Sequence, residues 1–251
     1  MDAENARRIL KELRNDARVV DVGGGGSPFP RADYVLDLTP YDSRAALGHM
    51  DVGGRERFTR ETWIEMDLCG RAPWPFEDDF FDFAVCSHLL EDVRDPIWIC
   101  SEMSRVAKAG YIEVPSRVIE QSRGVEHPLY AGFYHHRWLI DAKDGCLVFR
   151  HKPHSLHMIG EAIVADVGVS KRIARQHTFL VMEWTGCLNA QEVLEFNEES
   201  VNAELRQYAC ATRRIPDLLE DSGLSMRRKL GKALYFLRLK LRGRKAFATG
   251  R

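Results

Sequence analysis

Three aspartates stand at the ends of three successive apolar runs: Asp21 in "RVVDV", Asp37 in "YVLDL" and Asp67 in "IEMDL". Behind the first come four consecutive glycines, Gly23 to Gly26, and then Ser27-Pro28. A glycine-rich turn at the carboxyl end of a strand is where open α/β sheets admit a nucleotide. Backbone without Cβ atoms lets a ligand come close, and glycine accepts φ > 0. A carboxylate at the next strand end can accept hydrogen bonds from both ribose hydroxyls, and one at the third lies within reach of an adenine amino group. Singly, each feature has a plainer reading: a tight turn packed against a neighbouring strand, or an aspartate serving as a cap or turn residue. Jointly, and in this order, they favour a nucleotide-type cofactor.

Groups suited to proton chemistry cluster in two places. His88 lies just past a fourth apolar run, where its bland role would be a hydrogen bond to a backbone carbonyl. The stretch "EHPLYAGFYHHRWL" holds Glu126, His127, His135, His136 and Arg137. Histidine titrates near neutrality and suits a general base, so His88, His135 and His136 are the catalytic candidates. His135 and His136 beside Glu126 also invite a metal reading. Adjacent side chains point apart, however, and no second spaced ligand pair is evident, so no metal is expected. Tyr130, Phe133, Tyr134 and Trp138 could wall an apolar substrate pocket or pack a lid.

These residues need elements to hold them. Ile9, Leu10 and Leu13 share one face of a helix over residues 3–14. Short apolar runs at 17–23, 32–38, 62–68, 81–89 and 111–116 read as strands, nearly continuous in apolar residues as parallel strands covered on both faces are. Asp95-Pro96 opens a helix to about Ala107. The pattern is α/β, a central and mostly parallel sheet flanked by helices. The first crossover is short and carries Pro28 and Pro30, so it should hold one helical turn at most. Residues 145–153 and 176–186 read as two further strands, candidates for an antiparallel pair, and 190–212 and 224–242 as helices.

The segments "VVDVGGGGSP", "YVLDL", "EMDL", "WPFEDDFFDFAVCSHLLEDVRDP" and "SEMSRVAKAGYIEVPS" together resemble the class I S-adenosylmethionine-dependent methyltransferases, in particular the type 11 group. The resemblance covers about residues 17 to 116. It implies a Rossmann-like methyltransferase fold with S-adenosylmethionine as cofactor. Gly23 and Gly25 would pass under the methionine part, with Asp21 near its ammonium group. Asp37 would hold the ribose, Asp67 the adenine amino group, and the backbone of Leu68 the ring. Ser87 and His88 would lie beside the sulfonium. Ser27 stands where the family has a third glycine, and Asp92 where many relatives have histidine, so no role is borrowed for position 92. A dinucleotide-dependent dehydrogenase would want that third glycine and a helix behind the turn, which Ser27-Pro28 disfavours.

The 251 residues, 45% hydrophobic, suffice for a full core. Six scattered cysteines without a Cys-x-x-Cys pair suggest buried thiols in a reducing compartment. The charged first helix lacks a signal-peptide core, and no apolar run could span a bilayer, so a cytoplasmic protein is expected. The net charge of −1 hides an asymmetry. From Ser222 onward there are ten Lys or Arg and no Asp or Glu, leaving 26 basic against 37 acidic residues, or −11, in residues 1–221. Within 224–245, Leu230, Leu234, Leu237 and Leu241 form a leucine stripe among cations. Such a helix docks on the body or a second subunit, lies on a membrane surface, or contacts nucleic acid, the last disfavoured by the acidic body.

The expected organisation is a methyltransferase domain over 1–188, with 117–145 as a substrate lid or insertion, and a C-terminal helical extension over 189–251. The expected activity is methyl transfer to a small molecule, at oxygen on a sugar or secondary metabolite. Transfer to a small amine, RNA methylation and cofactor binding without turnover are the alternatives.

Overall fold

A computed structural model describes residues 1–44, 46–48, 50 and 55–248. By chain contacts the protein divides into two compact units. The first comprises Met1–Val114, Ala142–Phe149 and Val181–Glu192; the second comprises Pro115–Asp141, Arg150–Leu180 and Val193–Arg251.

Along the chain run α1 (Ala3–Glu12), β1 (Val19–Val22), β2 (Tyr34–Asp37), β3 (Trp63–Glu65), β4 (Phe83–Ser87), α2 (Pro96–Val106) and β5 (Ala109–Pro115). There follow α3 (Arg117–Glu120), β6 (Trp138–Lys143), β7 (Cys146–His151), β8 (Lys171–Ile173), β9 (Phe179–Thr185), β10 (Asn189–Val193), α4 (Glu198–Thr212), β11 (Leu219–Asp221) and α5 (Met226–Ala248). The main sheet has the order β3-β2-β1-β4-β5-β9, and its pairs from β3 through β5 are all parallel. Strand order reverses between β1 and β4, and the carboxyl ends flanking such a switch point form the crevice where open α/β sheets bind ligands. This is the Rossmann-like arrangement that the sequence implies.

Local chemistry explains the elements of the first unit. Asp2 caps α1, accepting from the backbone N–H groups of Glu4 and Asn5, and Ala6 and Ile9 carry its buried face into a cluster with Val19, Val35 and Tyr111. Asp95 caps α2 by accepting from Trp98 N at 3.0 Å, with Pro96 in the first turn. The crossover from β1 to β2 is a loop with turns and no helix, its Phe29 and Pro30 buried.

Two sequence expectations are corrected. Residues 145–153 and 176–186 do not pair with each other: β9 lies beside β5 in the main sheet, and β7 lies between β10 and β6 in a three-stranded sheet. Nor does one helix span 190–212. Its first part is β10, and α4 starts only after Asn197, which caps it by accepting from Ser200 N at 2.9 Å. The ladder with β7 overrides the local helix preference there.

In the second unit, Leu205 of α4 packs with Leu139, Leu156 and Ile163, and Ala209 with Val164, Val167 and Leu218. Strands β8 and β11 pair antiparallel.

Gly110, on β5, is closely packed within the main sheet. A Cβ there would lie 2.5 Å from the Ala84 carbonyl oxygen and 2.7 Å from the Trp184 indole nitrogen. Backbone cannot yield as a flexible side chain can, so Gly110→Ala is expected to destabilise the protein by about 1–3 kcal/mol. Urea denaturation with an unchanged m-value is the check; a midpoint equal to that of the parent protein refutes the packing argument.

Candidate cofactor-binding site

The glycines answer two different demands. Gly23 has φ +77°, and a Cβ on it would come within 2.7 Å of both Leu89 methyl carbons. What presses against Gly23 is therefore a side chain of the protein. Gly25 has φ +50°, and among the described residues a Cβ on it would meet nothing closer than 3.8 Å. Its outward face is open and lies beside Asp37, which is the geometry a ligand needs.

Three carboxylates mark the strand ends. Asp21 is buried, its Oδ2 accepting from Phe29 N at 2.7 Å. Burial pushes its pKa up to about 6 against the opposing Phe29 bond. Asp37 Oδ2 accepts from Gly25 N at 2.8 Å, and Oδ1 from Thr39 N at 2.7 Å. The turn is thus clamped from β2, with acceptor capacity left on Oδ2. Asp67 is half-exposed. Its Oδ2 accepts from Arg94 at 2.7 Å and its Oδ1 from Cys69 N at 2.9 Å; the Arg94 bond holds the carboxyl below its ordinary value. Leu68, next to it, is buried. A cavity of about 20 Å³ opens at the turn, with Asp21, Gly23, Gly24, Ser27 and Ser87 among its lining. Met1 and Met50 also line it, and unbranched methionine side chains adapt easily to a new occupant.

Past β4 the chain turns sharply, with His88 at φ +55°. Its ring lies between two buried carboxylates: Nδ1 is 3.3 Å from Glu91 Oε1 and Nε2 is 3.4 Å from Glu113 Oε1. Burial alone would lower the His88 pKa; the Glu113 and Glu91 bonds outweigh it and raise the value to about 9. Between these carboxylates the ring favours the imidazolium form, which has no lone pair to accept a proton. Glu113 also accepts from Asp2 N at 2.6 Å, Asn5 Nδ2 at 2.8 Å and Tyr111 Oη at 2.7 Å, and from Ser87 Oγ at 3.4 Å. Burial would lift its pKa, yet these bonds and His88 hold it at about 2.

The remaining candidates belong to the second unit. His136 is buried, its Nδ1 2.8 Å from Glu120 Oε1. Glu120, also buried, accepts from Lys152 Nζ at 2.6 Å, and Lys152 donates to the carbonyls of Ala131 (3.0 Å) and Phe133 (2.8 Å). His135 is exposed, its ring centroid 4.5 Å from that of His136. Glu126 accepts from Tyr134 N, and His127 Nδ1 accepts from Leu129 N while its ring stacks on Tyr130. Trp138 is buried, whereas Tyr130 and Tyr134 are exposed. Sequence reasoning passed over Glu91, Arg94, Glu113, Glu120 and Lys152. The available signal for Glu113 was an acid inside the apolar run "YIEVP", since a buried charge must be paired.

The switch-point turn and its carboxylates define a Rossmann-like nucleotide-binding domain. Residues 20–112 match the family model Methyltransf_11, a methyltransferase domain; that segment is a class I S-adenosylmethionine-dependent methyltransferase domain, and S-adenosylmethionine is its cofactor. A demethylmenaquinone methyltransferase of Renibacterium salmoninarum is 37% identical over 95 residues, which are 37% of this chain. The chain spans 38% of that relative's length. Among solved structures, an S-adenosylmethionine-dependent methyltransferase from Mesorhizobium loti is 22% identical, covering 63% of this chain and 67% of its own, with a TM-score of 0.36. Phosphoethanolamine N-methyltransferase 2 of Haemonchus contortus, in complex with S-adenosyl-L-methionine, is 19% identical over 45% of this chain and 28% of its own, with a TM-score of 0.34.

The Glu113–His88 contact has a pH signature. The Glu113 pKa falls from 4.5 to about 2 on folding, so its stabilisation is present above pH 4.5 and is lost as pH drops toward 2. The His88 pKa rises from 6.5 to about 9, so its stabilisation is present below pH 6.5 and is lost as pH rises toward 9. The contact therefore contributes most between about pH 4.5 and 6.5. An NMR titration should find the His88 midpoint well above the ordinary histidine range, and Glu113→Gln should bring it down. A midpoint near 6.5 in the parent protein would refute the imidazolium assignment.

Proposed function

We propose that the chain transfers the methyl group of S-adenosylmethionine to a small molecule, at an oxygen of a sugar or secondary metabolite. The open Gly25 beside Asp37, inside the methyltransferase domain, is the observation that carries the methyl-transfer reading. Bound there, the cofactor supplies a methyl group already activated on a sulfonium. What remains for the protein is to bind, to orient and to handle one proton.

In this reading the backbone of Gly23 and Gly25 lies under the cofactor's methionine part, and Asp21 faces its ammonium group. Oδ2 of Asp37 has a lone pair left beyond its bond from Gly25 N and takes a ribose hydroxyl. Asp67, with the Leu68 backbone, takes the adenine edge, oriented by Arg94. Ser87 and His88 line the approach of the acceptor, with His88 as a fixed cation.

A hydroxyl acceptor needs a base, and the Glu120–His136 pair supports that role. Nδ1 of His136 bonds to Glu120 Oε1, which leaves Nε2 as the ring atom for proton transfer. Lys152 pairs with the same carboxylate and so fixes its place beside the ring. His135, exposed beside it, is the second candidate.

Calorimetry with S-adenosylmethionine should show saturable binding, weakened about tenfold or more by Asp37→Ala, the loss of a hydrogen bond to a charged group. NAD should give no heat. With hydroxylated small molecules as acceptors, His136→Asn should lower the transfer rate by about 10²–10⁴ and leave cofactor affinity unchanged. Absence of cofactor binding by folded protein overturns the methyltransferase reading; an unimpaired rate in His136→Asn overturns only the assignment of the base.

A further inference from the structure

The C-terminal helix has a face that the proposed chemistry does not use. Along α5, Leu230, Leu234, Leu237 and Leu241 are 62%, 50%, 53% and 53% exposed, and Met226 is 82% exposed. Phe236, on the same helix, is only 8% exposed. The helix therefore packs through one side and leaves its leucine side free. At about 100° per residue, Met226 and the four leucines fall within an arc of about 80°. By the same count Arg227 and Arg238 border one edge of that arc and Lys240 the other.

We propose that this leucine face is a docking surface for an anionic lipid membrane, on which α5 lies in the plane of the headgroups. Three features choose this occupant. The helix carries Arg and Lys throughout and no acidic residue, which complements a negatively charged lipid surface. The apolar arc is bounded by cations on both edges, so leucines can enter the acyl boundary while the charges stay at headgroup level. No helix among the described residues is long and apolar enough to cross a membrane, so α5 can lie on a bilayer without spanning it.

The competing occupants fit less well. The Phe236 side of the helix is buried already. A second copy meeting this face would bring Arg227, Arg238 and Lys240 of one helix against the same cations of the other. Nucleic acid would use the cations and leave the leucines in water.

The full chain can be tested by co-sedimentation with vesicles of phosphatidylcholine mixed with phosphatidylglycerol, and of phosphatidylcholine alone. Binding is expected only to the mixed vesicles, and it should fall steeply as salt is raised, because the attraction is screened. Replacing Arg227, Arg238 and Arg242 with Gln should weaken binding about a hundredfold, near fivefold per cation. Leu234→Glu with Leu237→Glu should abolish it without unfolding the protein, since both positions are exposed; circular dichroism confirms the fold. Equal binding to both vesicle types, or none to either, overturns the proposal. So does a leucine variant that binds vesicles normally but changes the protein from dimer to monomer, or tail-dependent RNA binding with no vesicle binding.

Discussion

Glu113 has no exposed surface, and the first unit is arranged around keeping its charge satisfied. An ionised carboxylate in the interior is tolerable only when donors surround it. Here they come from four stretches of chain: the backbone of Asp2 and side chain of Asn5 at the start of α1, Tyr111 on β5 itself, Ser87 at the end of β4, and His88 just beyond it. The first turn of α1 is thereby tied to the carboxyl ends of β4 and β5, close to the switch point of the sheet. Such a cluster adds little net stability over an apolar core of equal volume, but loss of one partner strands a charge. Its value lies in specifying one arrangement. His88 is part of that arrangement, with a buried carboxylate on either side of its ring.

Parallel strands covered on both faces read as unbroken apolar runs, and this is why β1 to β5 were legible in the sequence. The cap Asp95 acts within three residues, so the start of α2 was legible too. Strand β10 was not. Asn189–Val193 is polar and mostly exposed, and it is a strand because of its partner, not its composition. The carboxylates of the candidate site followed the same division. Asp37 meets Gly25 twelve positions away across one crossover, and the motif spacing encodes that meeting. Glu113 meets His88 from the next strand over, a pairing no local spacing records. The two carboxylate neighbours of His88 are likewise absent from any local pattern.

The second unit shows another way in which a segment can be ordered yet illegible. Residues 123–137 have no period, and little regular structure results. They are held by side chains bonding to backbone: Lys152 to the carbonyls of Ala131 and Phe133, and Arg123 to that of His157. Gly132 donates to the Ser122 carbonyl at 2.8 Å and has φ +57°, where a Cβ would collide with Glu120. Each tie joins positions far apart in sequence and leaves no periodic trace. The buried Glu120–Lys152 pair is the anchor of this loop, and His136 shares the same carboxylate. A loop fixed in this way can present a ring in one orientation, which a self-bonded loop without a core could not do.

Charge illustrates why whole-chain averages mislead. A net charge of −1 suggests indifference to any charged surface. At physiological ionic strength, fields decay over about 8 Å, whereas the 23 residues of α5 extend about 34 Å at 1.5 Å per residue. Cations several turns apart on that helix therefore act on whatever lies beside them. α5 itself contains no carboxylate to neutralise them. A surface with leucines and cations on one helix face is costly to leave in water and has no charge complement within its own element.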